Sequence, residues 1–552
     1  MQTVIWKKNL QAYILLVILS ILILCPLITI FAKAAIVDGR FDLHQLWQVV
    51  TDSSNIKTVL NSLLLGVSVV LLSSVIALPT AYLLGRTQLK KYGWLDIIFM
   101  IPFMTPPYIA SMGWILFMQK RGLFQQLFPF TGAWSEGFFC FFGLVLVMSL
   151  HVFPFLLTMM KNAIINIPAS LEESGAVFGA GFTRRLRKIF APLLTGNYAI
   201  GALLVFVKTL SEYGTPYTLG RRIGFYVFTT DIHRYSTTSP IDFGRSASLS
   251  SILICICMAM WLMQNYITNK NSFTLVSGKG TRPVKTNLKP VALALAWLWI
   301  ILIVVVAIGV PYFSIIATSL IKLRGYGLAA GNFTFEHYVE LFQTPKAIVA
   351  INKSLLLAIS AATICSIIGT LLVVTVRKSK GILTRAIEAI GLLPEMLPSI
   401  VIVIGIMLFW NAIYKVIPLY NTLGIMVLAY VVLYLPYTVQ YVSSAFTQIN
   451  DSLLEAGRVF GGGSAYVFRR ITLPMISRGI FAGWMMIFII SFRELVTASL
   501  IAPPNTLVVS TYINREFEQG SVSLGMAMAV LCVLITTAAL MIFNCCVNRR
   551  ER

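Results

Sequence analysis

Charge is what this chain has least of. Only 11% of its 552 residues are Asp, Glu, Lys or Arg, 58% are hydrophobic, and the mean hydropathy is +0.84. Soluble domains carry about 25% charged residues, so a soluble fold is excluded. Acidic side chains are the scarcer kind, 20 against 43 Lys and Arg. Histidine is nearly absent: His44, His151, His233 and His337 are scattered, and His151, inside an apolar run beside Phe153-Pro154, reads as a core histidine. Cys25, Cys140, Cys255, Cys257, Cys365, Cys532, Cys545 and Cys546 lie in or beside apolar runs, with neither zinc-site spacing nor a disulfide framework, and read as packing residues. No Gly-x-x-x-x-Gly-Lys-[Ser/Thr] phosphate loop occurs, so the chain is not expected to hydrolyse ATP. Without clustered histidines or carboxylates, neither a catalytic constellation nor a fixed metal site is expected. Short alternating segments are missing too, which excludes a transmembrane β-barrel.

What is present is a series of apolar runs about 20 residues long, each able to cross a bilayer as a helix. We expect an all-α integral membrane protein of about 12 transmembrane helices. The runs fall at 10–32, 58–85, 94–118, 138–160, 193–211 and 245–267, and again at 290–320, 350–376, 387–413, 422–446, 477–502 and 520–546. The first is longer than the apolar core of a cleaved signal peptide and is expected to be retained. Between the two sets lies 268–289, which carries Lys270, Lys279, Arg282, Lys285 and Lys289 and no acid. It reads as a linker between a first half, 1–267, and a second half, 290–552. Six helices return the chain to its starting side, so the halves are parallel repeats. Lys and Arg gather at 86–91, at 377–385, in the linker and at both termini, which marks that side as cytoplasmic. Arg221 and Arg222 run against this rule. The net charge of +23 is therefore a membrane signature, and no nucleic-acid partner is expected.

The halves are duplicates. From 173 to 192, nine of twenty positions recur 282 residues later: Glu173, Gly175, Val177, Phe178, Gly179, Gly181, Arg187, Ile189 and Pro192 return as Glu455, Gly457, Val459, Phe460, Gly461, Gly463, Arg469, Ile471 and Pro474. Both copies are polar, basic islands in an apolar chain and read as docking surfaces outside the membrane. Gly179 and Gly461 suit a turn with positive φ. Pro192 and Pro474 suit the first turn of a following helix. Glu173 and Glu455 suit capping of backbone N–H groups or pairing with an arginine on a partner. A second set recurs after 292 residues: Pro102, Met104, Pro106, Gly113, Leu116 and Phe117 match Pro394, Met396, Pro398, Gly405, Leu408 and Phe409. Pro311 is placed like Pro26.

Intramembrane acids default to functional candidates. Glu212 and Glu494 are related by the same 282 residues and have Tyr213, Tyr217 and Arg493 as neighbours. Glu395, between Pro394 and Pro398, has no charged counterpart, since Phe103 occupies the matching position. Two readings stand for the paired acids: they line a translocation path, or they bond backbone at broken helix ends or pair with Lys208 and Arg493.

The docking pattern resembles the cytoplasmic loop of binding-protein-dependent ABC importer permeases. In both copies a Glu opens a small-residue turn, a Gly follows after six residues, and Ile-x-x-Pro begins ten residues past that Gly. The first copy departs at Phe190-Ala191, where the family usually has a small polar residue and Leu. Two loops in one chain look like a fused pair of permeases, and among fused permeases the chain is most similar to the ferric-iron type, with phosphonate and thiamine permeases as the alternatives. The resemblance implies the type I ABC importer permease fold in a bacterial inner membrane, with both termini cytoplasmic. It implies a periplasmic or lipid-anchored substrate-binding protein and two copies of a cytoplasmic ATPase as partners, with lipid around the helices. ATP and Mg would sit on the ATPase, and Glu173, Gly175, Gly179, Ile189, Pro192, Glu455, Gly457, Gly461, Ile471 and Pro474 would form its contact. The rival class is a secondary active transporter, which shares twelve helices and parallel halves but does not need two such loops.

Overall fold

The computed structural model describes residues 2–37, 40–42, 44–270, 287–378 and 381–548. Most of the expected linker, 268–289, lies outside the described residues. Among the described residues, ten helices are long and apolar enough to cross a membrane: Leu10–Ala35, Ser53–Arg86, Phe141–Ile165, Thr183–Ser211, Phe243–Thr268, Pro290–Leu320, Pro345–Arg377, Leu423–Thr447, Ser464–Phe492 and Val522–Ile542. Two bent pairs, Trp94–Met104 with Pro107–Met118 and Ile382–Met396 with Ser399–Ala412, raise the count to twelve if each is one span.

Those pairs differ from the unbroken runs expected at 94–118 and 387–413. They bend by 89° and 114° at Thr105-Pro106 and Leu397-Pro398. Proline crowds the residue before it out of the helical region. Accordingly Thr105 (ψ 133°) and Leu397 (ψ 147°) are extended.

Other prolines leave their helices unbroken: Pro79, Pro154 and Pro436 lie in plain α-helix, and four more follow a π turn. Pro26, Pro192, Pro311 and Pro474 lie inside the continuous spans Leu10–Ala35, Thr183–Ser211, Pro290–Leu320 and Ser464–Phe492. Each sits two residues beyond a π turn: Ser20–Leu24, Leu186–Phe190, Val305–Gly309 and Phe468–Thr472. Proline lacks an N–H and its ring clashes with the carbonyl four residues earlier. A turn with the wider i→i+5 pattern moves that carbonyl away. Pro192 and Pro474 stand in the first turn of the α-helices Ala191–Ser211 and Leu473–Phe492, as expected, but a helical π turn leads into each. They sit in helices that run on from the docking segments.

The chain forms two compact units that cut across the sequential halves. One comprises 1–49, 232–254 and 334–552, the other 50–231 and 255–333. The repeated glycines and prolines explain the exchange. In the second unit a Cβ on Gly113 would lie 2.7 Å from the Pro311 carbonyl oxygen. In the first, a Cβ on Gly405 would lie 2.7 Å from the Pro26 carbonyl oxygen. Only glycine allows backbones to cross so closely. Each half's opening helix thus packs onto the proline-broken helix pair of the other half. The remaining core of each unit is a packed helix trio: Ser53–Arg86, Phe141–Ile165 and Thr183–Ser211 in one, Pro345–Lys378, Leu423–Thr447 and Leu473–Phe492 in the other.

Candidate functional site

Each docking segment is a short helix, a reversed turn and a return into a long span. The helices are Ala169–Val177 and Asp451–Val459. Gly179 has φ +73° and Gly461 has φ +83°. The turn closes both helix ends in the same way. Gly179 N–H donates to Ala176 O at 3.0 Å and Ala180 N–H to Gly175 O at 2.9 Å. Gly461 N–H donates to Arg458 O and Gly462 N–H to Gly457 O, both at 3.0 Å. This double closure satisfies the last carbonyls and needs a left-handed residue at its apex.

The other motif residues hold the helix against the return. A Cβ on Gly175 would lie 2.9 Å from Ile189 Cδ1, and one on Gly457 would lie 2.6 Å from Ile471 Cδ1. Isoleucine therefore fills the space that the small residue leaves. The turn presents an apolar tip to solvent: Val177 and Phe178 are 84% and 87% exposed, Val459 and Phe460 84% and 91%. Neighbouring bare apolar side chains on a polar element mark a contact surface. Glu173 and Glu455 are also exposed.

The first segment carries an acid that sequence reasoning missed. Glu172, one residue before the motif Glu, is buried and pairs with Arg185 at 3.6 Å. Arg86 lies within electrostatic reach of Glu172; it donates from Nη2 to Ile167 O at 2.5 Å and stands 5.6 Å over the Phe190 ring. The positions matching Glu172 and Arg185 in the second segment hold Leu454 and Val467. An ion pair in one repeat thus stands where the other has two apolar residues.

The paired acids sit at helix breaks. The span ending at Ser211 stops before Glu212, whose carboxylate accepts from Thr215 N–H at 3.0 and 3.1 Å. The span ending at Phe492 stops before Glu494, whose two oxygens accept from Val496 and Thr497 N–H at 2.8 and 2.9 Å. A hydroxyl from the next element then holds each acid's own carbonyl, Thr229 at 2.9 Å and Ser510 at 2.5 Å. The elements that carry those hydroxyls are tied back by Phe228 N–H to Ser62 Oγ at 2.9 Å and by Val509 N–H to Ser354 Oγ at 2.8 Å. Of the two readings, the geometry is that of capping carboxylates at broken ends. Tyr213 is buried and stacks on Tyr217 with centroids 5.0 Å apart, so it belongs to the packing around the break. Arg221 lies 5.8 Å over the Tyr217 ring. Glu395 is exposed and accepts a hydrogen bond from the Gln440 amide. Arg493 lies between the Phe492 helix end and Glu494. Glu212, Tyr213 and Tyr217 belong to one unit, and Glu395, Arg493 and Glu494 to the other. His151 is satisfied, its Nδ1 lying 2.9 Å from the Pro102 carbonyl oxygen. Among the described residues no group of three or more His, Cys, Asp or Glu could hold a metal ion.

Comparison with known proteins gives a family and several relatives. The family described as "Binding-protein-dependent transport system inner membrane component" matches twice, over residues 77–272 and 354–552. A ferric transport system permease protein of Actinobacillus pleuropneumoniae is 22% identical over 96% of this chain and 77% of its own length. A putative ferric transport system permease protein of Haemophilus influenzae is 25% identical over 90% of this chain and 78% of its own. A spermidine/putrescine transport system permease protein of Haemophilus influenzae is 24% identical over 42% of this chain and 87% of its own.

Proposed function

Because the chain belongs to the family of binding-protein-dependent transport system inner membrane components, we propose that it is the fused permease of a ferric-iron ABC importer, coupled to ATP hydrolysis through its two docking segments. The observation that carries the coupling role is the repeated tip, Val177-Phe178 and Val459-Phe460, bare on a helix end that a positive-φ glycine closes. A cleft in a partner ATPase is the natural cover for such a tip. Because the docking helix packs on the return segment at Gly175–Ile189 and Gly457–Ile471, and that segment runs on through the π turns within Thr183–Ser211 and Ser464–Phe492, a push on the tip reaches the span.

In this reading the docking segments, the linker and both termini are cytoplasmic, and the two sequence halves, 1–267 and 290–552, are the two permease repeats. Two ATPase subunits bind one segment each and hold ATP and Mg. A binding protein delivers cargo to the opposite face. Ferric iron is favoured because the ferric permeases align over most of this chain, whereas the polyamine permease aligns over 42% of it. Phosphonate and thiamine are the alternative cargoes.

The test is uptake by the reconstituted complex of this chain, its ATPase and its binding protein. Radiolabelled ferric iron should accumulate only with ATP inside the ATPase compartment, and unlabelled spermidine, thiamine or phosphonate should not compete. Competition by one of these at equal concentration would reassign the cargo. ATP-independent uptake by the chain alone would refute the importer reading.

A further inference from the structure

Leu423–Thr447 carries a feature that the duplication does not explain. Tyr430, Tyr434, Tyr437 and Tyr441 lie on it at spacings of four, three and four residues. At 3.6 residues per turn they fall within a sector of about 60° and extend for about 16 Å along the axis. Ring centroids are 6.1 Å apart for Tyr430 and Tyr434 and 6.3 Å for Tyr434 and Tyr437. The stripe emerges along its length. Tyr430 is fully buried, Tyr434 and Tyr437 are half-buried, and Tyr441 is 39% exposed.

Carboxylates stand at both ends. Tyr430 and Tyr434 lie within electrostatic reach of Glu494, and Tyr434 also of Arg493. Near the other end, about 100° round the helix from Tyr441, Gln440 bonds Glu395. The first repeat has none of this. Met148, Val152, Phe155 and Met159 occupy the four tyrosine positions, Thr158 that of Gln440, and Phe103 that of Glu395. There Phe103 packs edge-on against Phe155, centroids 4.5 Å apart, with Lys208 Nζ 6.0 Å from the Phe155 ring.

Polar groups at mid-span avoid hydrocarbon and face protein or a water-filled cavity. A row of half-covered hydroxyls with an acid at each end is therefore not a lipid-facing surface. We propose that this stripe is a one-sided cation lane, a chain of weak oxygen sites along which a hard metal cation steps past Tyr434, Tyr437 and Tyr441 toward Glu395, with the capped Glu494 supplying negative field at the buried end. It deepens the ferric-importer reading and rests on it for the cargo. Phenolic and carboxylate oxygens are hard donors suited to such a cation. The roughly 6 Å spacing, about one helical turn, permits handover between neighbours rather than a closed ligand set. Arg493, within electrostatic reach of Tyr434, repels a cation resting there, so the buried end does not become a trap.

The test uses Tyr434→Phe/Tyr437→Phe/Tyr441→Phe, which keeps the rings and removes only hydroxyls. Two readouts are taken on the complete complex: terbium(III) luminescence sensitised through tyrosine, and uptake of radiolabelled ferric iron in proteoliposomes. Wild type should give saturable terbium emission. The variant should lose most of it and transport iron about tenfold more slowly, while binding-protein-stimulated ATP hydrolysis stays within twofold. The exposed single variant Tyr441→Phe, where packing is least involved, should show a smaller loss of the same kind. Wild-type emission and uptake in the triple variant would overturn the lane. Tyrosine-dependent terbium binding in a complex that carries no iron would instead overturn the cargo assignment and leave the lane standing.

Discussion

Substitutions at Gly461 and Gly457 separate two ways of damaging one docking segment. At Gly461 the backbone has φ +83°, and a built Cβ meets nothing within 4 Å. Any penalty there is conformational. Asparagine tolerates the left-handed region and should cost only a few tenths of a kcal/mol, alanine about 1, and β-branched valine about 2. At Gly457 the backbone is an ordinary helix, and the Cβ would fall 2.6 Å from Ile471 Cδ1. Gly457→Ala should cost roughly 1–3 kcal/mol by overpacking. Removing the offending methyl with Ile471→Val should recover most of that loss. The same Ile471→Val should do nothing for Gly461→Ala, because that defect involves no clash. The assay is retention of the ATPase subunit during purification of the complex, together with the uptake rate. One kcal/mol corresponds to about fivefold in the ratio of docked to undocked subunit. Equal retention by Gly461→Asn and Gly461→Val, or rescue of Gly461→Ala by Ile471→Val, would refute the reasoning.

Further expectations follow from the same geometry. Glu172→Leu alone should destabilise the first docking segment by about 2–3 kcal/mol, because it strands Arg185 beside Arg86, whereas Glu172→Leu/Arg185→Val, which reproduces Leu454 and Val467, should recover most of it; thermal unfolding of the purified chain measures both. Gly113→Leu and Gly405→Leu should each lower the unfolding temperature by several degrees, since the new side chain must enter the backbone crossing at Pro311 or Pro26. Residues 1–275 and 276–552 produced as separate chains should co-purify, because each half contributes its opening helix to the unit containing the other's core; recovery of two non-associating fragments would contradict that exchange. Gly461→Asp should impair uptake more than Gly179→Asp, with membrane insertion normal in both, since the second loop keeps the fuller family pattern.

Repetition made much of this molecule legible, and repetition also set the limit. Gly179 and Gly461 were identifiable as left-handed turns because they recur in register, and both have positive φ. Pro26, Pro311, Gly113 and Gly405 were visible as repeats, but nothing in a linear sequence says that each proline meets the glycine of the other half. Pro192 and Pro474 read as helix starts because proline normally ends a helix. The π turn that absorbs each one has no residue signature of its own. Glu212 and Glu494 stood out as intramembrane acids, yet their capping role depends on breaks at 212 and 494 that apolar runs do not reveal. The Glu172–Arg185 pair and the tyrosine stripe are hard to read from sequence for one reason. Each exists in a single repeat, and a reading guided by duplication discards what is not duplicated.

The most direct measurement of the central claim is ATP-driven uptake by the reconstituted complex with both tips charged, Phe178→Asp/Phe460→Asp. These side chains are almost wholly exposed, so insertion and unfolding temperature should match wild type. A buried carboxylate at each contact should cost several kcal/mol in docking and bring binding-protein-stimulated hydrolysis and uptake to background. Wild-type uptake by that variant, with the ATPase still bound, would contradict the assignment of these segments as the coupling elements.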